Sequence, residues 1–206
     1  MFRNRLLPVL AALLLLAALA AGLALWRLGD NEPRLGRVIS TGQIKVGGPF
    51  HLIDQNGKPV SDRDLHGRYV LIYFGYSFCP DVCPTTLAVM ADALDRLGDQ
   101  AGRIVPLFIT VDPARDTPGV LKKYMAAFGP RFVGLTGDAK AIAQAESVFH
   151  VYAVRRALGP AKPDGNYAMD HSSVLYLMGP DGKIIRYFDD AVSPANLAAG
   201  LKAALR

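Results

Sequence analysis

The stretch Tyr69-Val70-Leu71-Ile72-Tyr73-Phe74 limits the fold of this chain more than any other. It is apolar without interruption and rich in β-branched and aromatic residues, as a strand buried on both faces should be. It stops at Gly75 and runs into Cys79-Pro80-Asp81-Val82-Cys83-Pro84. Beyond that, Leu87, Met90, Ala91, Leu94 and Leu97 recur at helical spacing, with Asp92, Asp95 and Arg96 on the other side. A buried strand that delivers two cysteines to the start of a helix points to a sheet with helices on both faces.

The remaining segments agree. Pro49-Phe50-His51-Leu52-Ile53-Asp54 and Lys58-Pro59-Val60 flank Gln55-Asn56-Gly57, and Asn-Gly between short apolar runs signals a hairpin. Residues 104–111 read as a second buried strand. Thr117-Pro118 opens a helix, with Thr at the cap and Pro in the first turn, that ends near Phe128-Gly129-Pro130. A short strand is expected over 131–135, an amphipathic helix over 138–149, and a Gly/Pro-rich loop over 157–170. Residues 174–178 and 184–188 flank Gly179-Pro180-Asp181-Gly182 as a second hairpin, and Ser193-Pro194 caps a last helix. This order predicts an α/β, thioredoxin-like fold with an added N-terminal β-hairpin.

Residues 6–25 are different: Leu and Ala dominate and no charge interrupts them. About twenty residues at about 1.5 Å each cover about 30 Å, the thickness of a bilayer's hydrocarbon core. Arg3 and Arg5 precede the run and Trp26-Arg27 close it. This predicts a single transmembrane helix, with the amino end cytoplasmic and the domain exported. A cleaved signal peptide is the competing reading, because Ala18-Leu19-Ala20 resembles a cleavage site. The length of the run favours the anchor. Five preceding residues leave no room for a mitochondrial targeting peptide, so the expected setting is a bacterial inner membrane with the domain in the periplasm. The expected plan is an anchor over 1–27, a linker over 28–48 and the domain over 49–206. A net charge of +5 invites a nucleic-acid reading. The basic residues are scattered and form no Lys/Arg-rich block, so no nucleic-acid partner is expected.

Cys79 and Cys83 are the only two cysteines. A stapled exported domain would carry more, further apart, and a domain of this size buries an adequate core without them. Each precedes a proline, which predicts a stiff turn just ahead of the helix. Helix-end amides there favour the thiolate, which is both nucleophile and metal ligand. Position alone leaves redox chemistry and metal binding open. His171 precedes the strand over 174–178, which in this fold runs antiparallel to the cysteine strand and so begins at the edge where the other ends. Soft thiolates select Cu(I) and imidazole supports Cu(II). Zinc with two Cys, one His and a water is the alternative, and the exported location and missing fourth protein ligand weigh against a structural zinc. Asp112 can orient a ligand, contact a metal or serve only its loop. Asp81 can tune the thiols or simply sit in a solvated turn, and Met169 offers a thioether or packing. His51, His66 and His150 read as surface residues.

Three segments carry a family resemblance. Tyr76-Ser77-Phe78-Cys79-Pro80-Asp81-Val82-Cys83-Pro84 resembles the copper motif of the Sco (SenC-type) cytochrome oxidase assembly proteins. Thr110-Val111-Asp112-Pro113-Ala114-Arg115-Asp116-Thr117-Pro118 resembles their next signature, and Asp170-His171-Ser172-Ser173 with Leu177-Met178-Gly179-Pro180-Asp181-Gly182 their histidine segment. The resemblance implies binding of Cu(I) and Cu(II) by Cys79, Cys83 and His171. It also implies delivery to the subunit of cytochrome c oxidase that carries the CuA centre, with other periplasmic copper chaperones as further partners. That is an assembly factor rather than a turnover enzyme. The rival functions are a membrane-tethered thiol–disulfide oxidoreductase that reduces the oxidase cysteines through Cys79 and Cys83, and a peroxiredoxin-like peroxidase. The first of these usually spaces its cysteines more closely and has no use for His171. The second needs a Thr or Ser several positions before its cysteine, and Ser77 is too near.

Overall fold

The computed structural model describes residues 45–159 and 167–205, with isolated helical positions at 14, 17 and 19–22. The chain divides into Met1–Arg34 and Leu35–Arg206, and the fold belongs to the second unit. Most of the membrane helix expected over 6–25 falls outside the described residues. Among those, no helix is long and apolar enough to cross a membrane.

The strands are β1 (His51–Asp54), β2 (Pro59–Ser61), β3 (Tyr69–Gly75), β4 (Ile104–Thr110), β5 (Val133–Thr136), β6 (Ala153–Ala157), β7 (Tyr167–His171), β8 (Val174–Met178) and β9 (Ile184–Asp189). The helices are α1 (Val82–Leu97), α2 (Pro118–Ala126), α3 (Ala139–Phe149) and α4 (Pro194–Ala204). Seven strands form one mixed sheet in the order β2-β1-β5-β4-β3-β8-β9. Strands β3, β4 and β5 are parallel, while β1, β8 and β9 run antiparallel to their neighbours. The added hairpin is β1–β2, its turn held by Asp54 Oδ1, which accepts from the amides of Asn56 and Lys58. Gly57 supplies the positive φ of 79° there.

Six of the seven β3 residues are buried, as the unbroken apolar run requires. Its alternation sorts the helices. Tyr73 meets Cys83 of α1 and stacks on Phe108, which meets Tyr124 of α2. Phe188, level with Leu175 on that side, is covered by Gly200 of α4. Phe74 and Tyr176 point the other way, onto Phe149 of α3. Thus α1, α2 and α4 cover one face and α3 the other. Thr117, Asp138 and Ser193 cap α2, α3 and α4 through their side-chain oxygens, each worth about 1 kcal/mol. Asp81 at the start of α1 makes no such bond.

Three expectations need correction. The strand expected over 131–135 begins and ends later, at Val133–Thr136. The loop expected over 157–170 is flanked by a second, two-stranded sheet that takes in both its ends, β6 paired antiparallel with β7, while 160–166 lie outside the described residues. β6 is exposed along most of its length, so it lacks the apolar alternation by which strands are read. Cys83 is the second residue of α1, not part of a turn before it. Pro84 follows in the first turn, where a missing N–H costs no helical bond.

Candidate metal centre

β3 ends at Gly75, and residues 76–81 carry the chain to α1 with Cys79 in the connection and Cys83 in the first turn. Both thiols are free. Cys83 is buried, and its sulfur occupies the space left by the missing side chain of Gly75, where a Cβ would stand 2.9 Å from Sγ. Cys79 is half-buried. Its sulfur accepts the Cys83 amide at 3.5 Å, so a thiol takes the place of the oxygen that caps the other helices. Cys79 is driven down to about 5, first by the side-chain hydrogen bond from Cys83, then by the amides of Asp81 and Cys83. Cys83 is pushed up, by its hydrogen bond to Cys79 and then by burial. The outer thiol is the thiolate and the inner one keeps its proton.

His171 ends β7 and pairs with Ala153. Antiparallel pairing of β8 with β3 sets Tyr73 level with Leu175, so the start of β8 lies beside the end of β3, as the topology predicts. His171 Nε2 stands 3.6 Å from Sγ of Cys83. Its Nδ1 is 3.0 Å from the Ser172 carbonyl oxygen, which can only accept. The ring hydrogen is thus on Nδ1, and the lone pair of Nε2 faces the cysteine. The rings of Tyr73 and Tyr76 lie edge-on to the imidazole, at 6.4 and 5.8 Å. The Tyr73 hydroxyl donates to Cys83 Sγ at 3.7 Å and shares a 3.2 Å bond with Ser173 Oγ. Burial holds that phenol well above its usual range, so it remains a donor.

The loop before Cys79 has a buried support. Asp116, fully buried, accepts from Ser77 N at 3.0 Å, from Ser77 Oγ, and from Thr110 Oγ1 at 2.6 Å. Asp112 is also buried, but it accepts from Arg115 and Tyr167 and makes no bond to a cysteine. Asp81 is exposed at the helix start, and Met169 is half-buried against the core. His51, His66 and His150 are exposed, as expected. Tyr73, Asp116 and Ser173 are the contributors that sequence reading missed. Asp116 and Ser173 lie within the motif segments, yet only the register of the strands shows what they touch.

Cys79 and His171 line a groove of about 680 Å³ with Phe78, Val82 and Met169, while Cys83 is buried behind it. A cavity of the same volume lies at the other end of β3, between Val70, Ile72, Phe149 and Met178, and holds no cysteine. Among the described residues no group of three or more His, Cys, Asp or Glu side chains is already arranged to hold a metal. Cys83 and His171 face each other, while the Cys79 sulfur is turned to the helix amide. Two sulfurs and one imidazole nitrogen make a soft donor set, suited to copper.

The family model described as SCO1/SenC matches residues 39–206. The chain belongs to the SCO1/SenC family. The SCO2-like protein of Rickettsia felis is 42% identical over 173 residues, which is 84% of this chain and 83% of that one. Among solved structures, copper-bound ScoI of Bradyrhizobium japonicum is 44% identical, covering 77% of this chain and 98% of its own, with a TM-score of 0.69. BsSco, described with a disulfide switch as a member of the Sco family of cytochrome c oxidase assembly proteins, is 28% identical. It covers 81% of this chain and 97% of its own, with a TM-score of 0.62. The thioredoxin-like fold of this SCO1/SenC protein is therefore the fold of proteins crystallised with copper.

Proposed function

We propose that this SCO1/SenC protein is a membrane-tethered copper carrier for assembly of the CuA centre of cytochrome c oxidase, with Cys79, Cys83 and His171 as the ligands. The observation that carries the reading is the lone pair of His171 Nε2 facing Cys83 Sγ at 3.6 Å, beside a Cys79 sulfur that the Cys83 side chain and the helix-start amides hold as thiolate. The copper-bound relative supports it. Copper is cargo in this account, so the site must release it. The low-pKa thiolate of Cys79 binds without first losing a proton, Cys83 gives up its proton on binding, and His171 completes the set. The uncharged run over 6–25 supplies the tether, with the domain on the periplasmic side.

A second reading, disulfide reduction on the partner, is favoured by the asymmetry of the two thiols. The Cys79 thiolate attacks a partner disulfide, forming a mixed disulfide and releasing one partner thiolate. Cys83 then loses its proton and attacks Sγ of Cys79. The second partner thiolate leaves, and the two electrons stay with the partner while a Cys79–Cys83 disulfide remains. A disulfide binds no copper, so one exchange also empties the site.

The test adds Cu(II) anaerobically to the reduced protein and to His171→Ala and records the visible spectrum. An intense sulfur-to-copper band in the native protein, lost or shifted in the variant, is the expected result. No band, with rapid disulfide formation in both, leaves only the reductase.

A further inference from the structure

His171 sits on a strand that is not hydrogen-bonded to the main sheet: β7 pairs only with β6 among the described strands. Ser172 and Ser173 tie its end to β8 and so to the β3 ladder, but no ladder fixes how the β6–β7 hairpin lies over the cysteine loop between β3 and α1. Something else must hold the β6–β7 hairpin against the cysteine loop.

Arg115 spans that gap. Its guanidinium carbon lies 3.7 Å from the ring centre of Tyr167, the first residue of β7, and 4.8 Å from that of Phe78, next to Cys79. Nη1 donates to the Tyr167 carbonyl at 3.0 Å. Nε donates to Asp112, whose other carboxylate oxygen accepts the Tyr167 hydroxyl at 2.7 Å. Asp112 is 1% exposed and its own amide is tied to Thr110 at the end of β4, so the anchor belongs to the main sheet. A planar guanidinium that stacks on rings and donates in a fixed fork can hold two elements at one separation. The Arg156–Asp170 pair on the same hairpin is about half exposed on both sides and contributes little.

We propose that Arg115, held by Asp112 and Tyr167, is the positioning residue that sets His171 at ligating distance from the cysteine pair. The inference rests on the three-ligand copper reading above. Arg115 touches no ligand itself; it acts on the site through Phe78 on one side and the strand Tyr167–His171 on the other.

The test compares the native protein with Arg115→Gln, Arg115→Lys and Tyr167→Phe by Cu(II) titration, visible spectrum, thermal unfolding and amide hydrogen exchange without metal. Loss of Arg115 should speed exchange in residues 153–157 and 167–171 while β3 and β4 stay protected. Cu(II) affinity should fall by about 10–100-fold, as when an outer partner of a ligand is removed, with a shifted sulfur-to-copper band. Arg115→Lys keeps the charge beside Asp112 but loses the stacking plane, and should restore only part of the affinity. Tyr167→Phe keeps the ring, loses one hydroxyl, and should show a smaller loss in the same direction. Native affinity and spectrum in Arg115→Gln overturn the proposal. So does a loss of affinity accompanied by faster exchange throughout the sheet, which marks a merely structural role. Absence of a sulfur-to-copper band in the native protein instead brings down the copper reading, and this inference with it.

Discussion

Nε2 of His171 stands 3.6 Å from Sγ of Cys83, across 88 positions of chain. Two backbone features produce that meeting. The antiparallel pairing of β8 with β3 brings the right ends of the strands together. Gly75, lacking a Cβ, leaves room for the sulfur under the end of β3. The Ser172 carbonyl then selects the ring form whose free nitrogen points at the thiol. The site is thus built mostly from backbone geometry, and the changes that disturb it are correspondingly specific.

The two thiols should react unequally. Cys79 is held down to about 5 by the hydrogen bond from Cys83 and the helix-end amides, whereas Cys83 is buried and pushed up. In the reduced, metal-free protein, a neutral alkylating agent should label Cys79 well ahead of Cys83. Its rate should stay level from neutral pH down towards 6 and fall as pH drops through about 5. Peptide mapping by mass spectrometry reads the order. Equal labelling that accelerates only in alkali contradicts the assignment.

Gly75→Ala should damage the centre from beneath. A Cβ there would meet Cys83 Sγ at 2.9 Å, Phe108 Cε2 at 3.0 Å and Tyr73 Cε1 at 3.1 Å. Overpacking of this kind costs about 1–3 kcal/mol. The expected outcome is a lower unfolding midpoint together with a changed copper spectrum, because the displaced atom is one of the proposed ligands. A variant with native stability and spectrum contradicts the packing described for Cys83.

Asp116 anchors the cysteine loop at an unusual electrostatic cost. Burial holds its carboxyl above the ordinary range, against the lowering effect of the Ser77 and Thr110 bonds. A folded-state pKa above the unfolded one contributes stability below the unfolded pKa, and that contribution is lost as pH rises through the folded value. The stability of the native protein relative to Asp116→Asn should therefore improve as pH falls from neutral into the acid range. Asp116→Ala should cost about 1–3 kcal/mol for each buried donor left without a partner. Thermal unfolding at two pH values checks both, and a shift of opposite sign contradicts the first.

The sequence made the main sheet legible, and made the cysteine pair conspicuous, because each carried an uncommon pattern. An apolar run such as β3 has few other uses, and two isolated cysteines beside a helix start are chemically conspicuous. The β6–β7 hairpin was not legible. Val154, Arg155 and Arg156 are exposed and alternate nothing against the core, and their strand is held by pairing with β7 and by ring contacts such as Arg155 over Tyr167 at 4.0 Å. Tyr73 looked like one more apolar core residue; its hydroxyl gained meaning only when the register placed it beside Cys83 and Ser173. The proline after Cys83 reads as the mark of a turn, and the first turn of a helix is where that rule relaxes.

The most direct measurement is X-ray absorption at the copper edge on the reduced, Cu(I)-loaded protein, native and His171→Ala. The account predicts two sulfur scatterers and one imidazole nitrogen around the ion in the native protein. His171→Ala should lose the imidazole contribution and bind copper more weakly than the roughly 10–100-fold loss typical of an outer-partner change. A first shell without both sulfurs, or one identical in the two proteins, would contradict the three-ligand centre.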